Sequence, residues 1–304
     1  MARPPPVGLR EEIGRGIGYM LAAVALFNVM GALVKAMAAS YPVGEVMFFR
    51  NAAALPMALA ILAGTGGLGA IRTERPLGHL VRAVCGFAAM GSGFFALSRM
   101  PLVDATALSF TQPMFLTLLA IPMLGERVGL HRAGAVVGGF LGVLVLSLGQ
   151  GGFAGSIGAI ALVAAMANAA LSATTALLVR MLSATEGSAT ITAWQSLLMT
   201  LLCTALLPFG WVTPGWSDLL LLLCIGGCGG IAQYWMTQAY RFGPASVNSA
   251  FNYTGIVWAV LLGWLMWDEL PGPAVIAGSA IVIAAGLYIL YREVFRAGGR
   301  GAQA

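Results

Sequence analysis

Four amides stand near the middle of long apolar runs: Asn28, Gln112, Asn168 and Asn252. A carboxamide donates and accepts hydrogen bonds without carrying charge, so this set can hold a small polar molecule but offers neither a nucleophile nor a titrating acid. Helical spacing extends each amide into a stripe: Gly31 and Lys35 beside Asn28, Leu108 and Ser109 beside Gln112, Ser172 and Thr175 beside Asn168, and Asn248 and Gly255 beside Asn252. Tyr253, Gln233 and Tyr234 add aromatic and amide groups, and Pro113 after Gln112 removes a backbone donor. An intramembrane amide can equally tie two helices together, worth about 0.6 kcal/mol. Four of them at one depth favour a shared cavity, lined by Asn28, Lys35, Gln112, Asn168, Gln233, Tyr234, Asn252 and Tyr253. Amides beside aromatic faces suit a zwitterionic or heteroaromatic ligand. A strongly anionic ligand would want more cations than Lys35 and Arg50 provide.

A second set is charged: Glu45, Arg50, Arg99, Asp104, Glu126, Arg241 and Asp268. Arg50 lies inside a helix and needs a partner, for which Glu45 and Asp104 are candidates. Lys35, Arg99 and Glu45 form an expected outer cluster. Arg99, Glu126, Arg241 and Asp268 read either as interfacial anchors or as latches on gates. No acid stands at mid-depth, which favours flux along a substrate gradient over proton coupling. Enzyme chemistry lacks its parts. The two His, His79 and His131, fall in segments read as cytoplasmic, and no phosphate-binding Gly-rich loop occurs. The Cys (Cys85, Cys203, Cys224, Cys228) form no Cys-x-x-Cys pair and read as small buried hydrophobes. No catalytic residue, metal site or cofactor is expected.

Such side chains need long apolar helices to carry them. Hydrophobic residues make up 59% of the 304 and charged residues 9%, against roughly 25% charged in soluble domains. Ten segments reach the length a bilayer requires: 17–38, 43–63, 77–98, 101–124, 131–148, 156–180, 188–209, 217–240, 244–267 and 272–291. Lys35 and Arg99 fall at one side and Arg50 inside the second helix, leaving the other thirteen of 16 Lys and Arg at the opposite side. That bias sets both termini cytoplasmic and explains the net charge of +5 without nucleic-acid binding. The acidic pair Glu11 and Glu12 argues against a cleaved signal peptide.

The chain carries its pattern twice. Ala96 to Glu126 and Gln238 to Asp268 each run from an Arg through a Pro turn, small polar residues and an apolar helix to an acid. Arg99 aligns with Arg241 and Glu126 with Asp268 at an offset of 142; Lys35 aligns with Arg180, and Phe49-Arg50-Asn51 with Trp194-Gln195-Ser196, at 145. The expected fold is an all-α integral membrane protein of ten helices in two five-helix repeats, 17–148 and 156–291, between cytoplasmic tails 1–16 and 292–304. An odd number of spans per repeat inverts one half relative to the other, a recurrent plan of secondary transporters.

This plan, with LGER at Leu124 to Arg127 and YPVGEVMFFRN at Tyr41 to Asn51, resembles the drug/metabolite transporter superfamily, EamA branch. The second half departs from the pattern, reading WDEL where Gly-Glu is usual. The resemblance implies a secondary transporter of a small organic metabolite in the inner membrane, acting as a monomer or homodimer by alternating access. Export is the expected direction. Uptake of a vitamin or nucleoside-like compound, or a passive channel or lipid translocator, are the alternatives.

Overall fold

Apolar runs of this length leave the backbone no partner but itself, so helix is the element that hydrocarbon permits along them. The computed structural model describes residues 7–66, 71–125, 129–148, 156–242 and 251–300, and every regular element there is helical. In order these are α1 (Val7–Met37), α2 (Val43–Gly66), α3 (Pro76–Arg99), α4 (Leu102–Ser109), α5 (Gln112–Leu124), α6 (Leu130–Leu148), α7 (Ser156–Leu182), α8 (Ser188–Leu206), α9 (Trp216–Phe242), α10 (Gly255–Trp267) and α11 (Pro273–Arg300). Eight segments are long and apolar enough to cross a membrane, with Leu102–Leu124 counted as one. Ala133–Leu146 and Phe251–Trp267, in the expected fifth and ninth spans, are apolar but shorter. The first residues of that ninth span, Asn248 included, lie outside the described residues, as does Glu126. Exposed Val257, Leu261, Trp264 and Leu265 on α10, and Val137, Leu141 and Leu144 on α6, recur at helical spacing and give acyl chains an apolar surface.

The expected continuous helix 101–124 is broken. α4 ends at Ser109 and α5 starts at Gln112. Pro113 has no N–H to close the turn across this point, and the Thr111 hydroxyl donates to the Leu108 carbonyl at 2.7 Å instead. The same device stands 143 residues on, where Thr254 donates to the Phe251 carbonyl at 2.7 Å ahead of α10. α5 ends on Gly125 in the left-handed region (φ 67), and α10 ends on Asp268 (φ 56). The repeat register in this helix is therefore 143 rather than 142. Asp268 stands where the first half has Gly125, and Glu269, not Asp268, matches Glu126.

The principal helix contacts come in pairs that interchange when α1, α2, α3, α5 and α6 are swapped for α7, α8, α9, α10 and α11. α1 packs on α9 and α7 on α3; α2 on α9 and α8 on α3; α1 on α10 and α7 on α5. α6 with α11 and α2 with α8 map onto themselves. Small residues set the closest of these crossings. A Cβ on Gly278 of α11 would stand 2.6 Å from the Leu146 nitrogen and 2.7 Å from the Gly142 carbonyl of α6. A Cβ on Gly226 of α9 would meet the Phe49 and Arg50 carbonyls of α2 at 2.9 and 3.0 Å.

Two open glycines test the cap. Nothing lies within 4 Å of a Cβ at Gly125 or at Gly138, but only Gly125 has positive φ. Gly125→Ala is expected to lower stability by about 1–2 kcal/mol, and Gly138→Ala to raise it by about 0.5–1 kcal/mol. Thermal unfolding midpoints of the purified variants check the opposite signs.

Candidate functional site

Between the interchanged pairs lies a cavity of about 820 Å³. Six expected lining residues meet there: Asn28, Gln112, Asn168, Gln233, Asn252 and Tyr253. The glycines of its wall make the room. A Cβ on Gly255 would stand 3.2 Å from Asn28 Nδ2, one on Gly93 3.0 Å from the Asn168 amide carbon, and one on Gly286 would overlap the Tyr253 hydroxyl. Asn28 donates to the Val24 carbonyl at 2.9 Å, and Ser172 donates to Asn168 Oδ1 at 3.3 Å. Tyr253 packs edge-on against Phe110, ring centres 5.0 Å apart. Among the described residues, the amides of Gln112 and Asn252 find no protein partner, which leaves them free for a ligand.

Two expected lining residues are elsewhere. Tyr234 is 40% exposed on the outward face of α9. Lys35 stands beside the cavity at the junction of α1, α4 and α10, paired with Glu269 Oε1 at 2.5 Å and Oε2 at 2.6 Å and lying over the Trp267 ring at 4.6 Å. Glu269 Oε2 also accepts from the Leu102 N–H at 3.3 Å, and Asp104 is buried close to this pair. The partly buried ammonium is held by its carboxylate and by the ring face.

The expected partners of Arg50 are not its partners. Its Nη1 donates to Asn51 Oδ1 at 3.0 Å and its Nε finds no acceptor. Glu45 is fully buried and turns the other way, where its Oε2 accepts the Val212 N–H at 3.0 Å. No cluster of Lys35, Arg99 and Glu45 forms: Arg99 is exposed and lies over the Phe95 ring at 5.7 Å. Asp268 is exposed at the end of α10. The side chain of Arg241, like Glu126, is outside those described.

Sequence reasoning missed Arg82. Counted among the thirteen basic residues of the cytoplasmic side, it lies in α3 and lines the cavity, with Nη1 donating to Gln195 Oε1 at 2.9 Å and to the Ile191 carbonyl at 3.1 Å. A signal was available in the repeat of Cys85-Gly86 as Cys228-Gly229, 143 residues apart. Gly86 makes room for Gln195, whose Nε2 would be 2.6 Å from a Cβ there. Gly229 does the same for Arg50, whose Nε would be 3.3 Å away. Arg50 and Gln195 are themselves matched at offset 145.

Polar contacts tie helices together at both ends of the bundle. At one, the Tyr41 hydroxyl donates to Asp218 Oδ2 at 2.6 Å, which raises the phenol's pKa from its ordinary value. At the other, His79 Nε2 lies 2.6 Å from Glu186 Oε2, and Thr73 donates to the other oxygen of Glu186. His79 stacks on Trp194, ring centres 5.6 Å apart, and Trp194 donates to the Ile71 carbonyl at 2.8 Å. Burial alone would raise the Glu186 carboxyl, but the hydrogen bonds from Thr73 and His79 outweigh it and hold the group below the usual range.

Apolar helices in interchangeable pairs around a chamber of uncharged amides define a membrane transporter, and comparison with known proteins places the chain within that class. The EamA-like transporter family profile matches it twice, over residues 14–148 and 159–292, so the chain belongs to this family. It is 30% identical over 274 residues to the pseudopaline exporter CntI of Pseudomonas aeruginosa, covering 88% of this chain and 94% of that one. It is 30% identical over 284 residues to a riboflavin transporter of Rhizobium johnstonii, covering 92% of each. It is 26% identical over 285 residues to an S-adenosylmethionine uptake transporter of Rickettsia prowazekii, covering 91% and 93%. A solved crystal structure superposes with a TM-score of 0.65 at 20% identity over 92% of this chain and 98% of its own, a likeness of fold alone.

A depressed carboxyl contributes stability above its unfolded pKa and loses it as pH falls through the folded value. The His79–Glu186 contact should therefore hold at neutral pH and release below the ordinary carboxylate range. Glu186→Gln should lower the thermal midpoint at neutral pH and flatten its fall on acidification. A variant curve parallel to wild type at every pH would contradict this.

Proposed function

We propose that this chain moves a small organic metabolite, amino-acid-like or heteroaromatic, outward across the inner membrane by alternating access. The observation that carries the reading is the amide-lined chamber of about 820 Å³, of a size that holds a small metabolite, with separate polar contacts closing each end. Interchange of the helix pairs supports two five-helix halves related by a two-fold axis. With five spans per half, such halves run in opposite senses, so one can adopt the conformation of the other and turn the chamber from one face to the other. His79–Glu186 closes the cytoplasmic side in this scheme, while Tyr41–Asp218 and Lys35–Glu269 close the outer side. Lys35–Glu269 takes the gating role first given to Asp268. With no acid among the described lining residues, flux follows the substrate gradient.

The relatives named for pseudopaline, riboflavin and S-adenosylmethionine support a small-metabolite substrate. Because they include both an exporter and uptake transporters, uptake is the competing direction. Proteoliposomes preloaded with riboflavin, S-adenosylmethionine or an aromatic amino acid decide between the classes. A transporter gives saturable flux and counterflow, a channel gives neither, and the orientation with the higher rate reports direction. Asn252→Leu and Gln112→Leu should each lower the rate roughly tenfold or more, as expected for loss of a ligand hydrogen bond, with membrane expression near normal. Wild-type rates in both variants would put the substrate elsewhere.

Basic residues motivate both termini at the cytoplasmic face. Reporter fusions after Gly149 and after Thr213 should read as outside, and a fusion at the C-terminus as inside. A C-terminus outside would overturn the inverted arrangement.

A further inference from the structure

The cavity is uncharged at its amides but not overall. Arg50 and Arg82 both line it, and no Asp or Glu stands among its described lining residues. Of the acids near it, Glu45 is held by the Val212 N–H, Glu269 by Lys35, Asp218 by Tyr41 and Glu186 by His79, and buried Asp104 lies beside the Lys35–Glu269 pair. Each guanidinium has a neutral side-chain partner, Asn51 for Arg50 and Gln195 for Arg82, and each Nε is buried without an acceptor. A buried guanidinium retained without a carboxylate keeps a large unpaid desolvation cost unless an anion arrives from outside.

The two guanidinium groups, both carried by the first half, stand at helix crossings that the repeat relates. Arg50 lies over Gly229 where α2 crosses α9, and Gln195 lies over Gly86 where α8 crosses α3. These are the same crossing in the repeat, and Arg82 delivers its charge to Gln195 at the second. Asn51, next to Arg50, reaches Met90 of α3 at 3.4 Å. Met90 is eight residues beyond Arg82 (90 − 82), or about 12 Å along the helix. The first half thus presents both guanidinium groups to the chamber, from α2 and α3 and at two depths, with Asn28, Gln112 and Asn252 elsewhere in its lining.

We infer that Arg50 and Arg82 form a two-station oxyanion site, so that the transported molecule is an organic anion bearing carboxylate or phosphate groups. The inference rests on the reading of this cavity as the substrate site. The planar guanidinium fork matches both oxyanions in two-point contact. The amides and the rings of Phe27, Phe110 and Tyr253 take the organic body.

The test uses full-length protein in detergent and its thermal unfolding midpoint at fixed ionic strength. The probes are glutarate, its uncharged diamide and inorganic phosphate, each titrated through the millimolar range. Glutarate, phosphate or both should raise the midpoint while the diamide does not, and the larger response assigns the oxyanion. Arg50→Gln and Arg82→Gln should each weaken the apparent anion affinity roughly tenfold or more, the loss expected for a charge-assisted contact. Where a Gln variant does not fold, Arg50→Lys or Arg82→Lys is read instead. These keep the charge and lose the fork, so affinity falls but the preference for glutarate over its diamide survives. A midpoint unmoved by both anions, a diamide as effective as glutarate, or anion responses unchanged in folded Arg variants would each overturn the inference. If the diamide acts as well as glutarate and Asn252→Leu abolishes its effect, the cavity remains the substrate site and only its charge preference falls. Absence of counterflow with every substrate tried would instead remove the transporter reading itself.

Discussion

Hydrocarbon gives a polar side chain no partner, so each one in a membrane helix must turn toward another helix and be given room there. In this chain glycine supplies the room. Gly255 faces Asn28, Gly93 faces Asn168, Gly286 faces Tyr253, Gly86 faces Gln195 and Gly229 faces Arg50. The polar groups can then sit at the centre of the bundle without prising its helices apart. The cavity is what remains between these pairs, so its shape and its chemistry have one origin. The same economy of side chains sets the α6–α11 crossing, where Gly142 and Gly278 bring two backbones together and no polar group intervenes.

Charge is handled differently from amide. At the rims, acids find partners: Lys35 holds Glu269, Tyr41 holds Asp218 and His79 holds Glu186. Inside, the guanidinium groups of Arg50 and Arg82 have only neutral neighbours. Each rim carboxylate is held by a side chain from a different helix or loop, and Glu186 and Glu269 each accept from a second donor as well. A guanidinium in the chamber answers a different need, since it can be satisfied by something that comes and goes. The division between paired rims and an unpaired centre suits a protein whose ends alternate while its middle recognises cargo.

Much of this was legible from the chain alone. Composition and run length require helices in a bilayer, because no soluble core could bury so much apolar surface. Asn28, Gln112, Asn168 and Asn252 were found as a set because amides are rare in such runs, and all four line the cavity. The doubling of Ala96–Glu126 was visible, although its register was set one residue off by matching acid to acid. Asp268 occupies a left-handed cap that the first half gives to Gly125, and this displaces the acid to Glu269. Asp is among the few residues other than glycine that enter the left-handed region readily, but spacing between acids does not say which of Asp268 and Glu269 does so.

Partners were where sequence reasoning failed, and for one reason. Lys35, Glu45 and Arg82 take partners from distant stretches of the chain, 234 residues away for Lys35, 167 for Glu45 and 113 for Arg82, while Arg50 turns to Asn51 beside it. Periodicity assigns a side chain to a face of its own helix and says nothing of which helix covers that face. Arg82 shows the limit most plainly: in sequence it is one more cytoplasmic charge, and only the crossing of α3 with α8 brings it to Gln195 and into the chamber. The sequence alone determined the solvent, the helices and the uncharged polar groups at mid-depth, since these depend on composition and local spacing. Tertiary structure decided which charges are paired and which face the cavity, because that depends on the order in which helices meet.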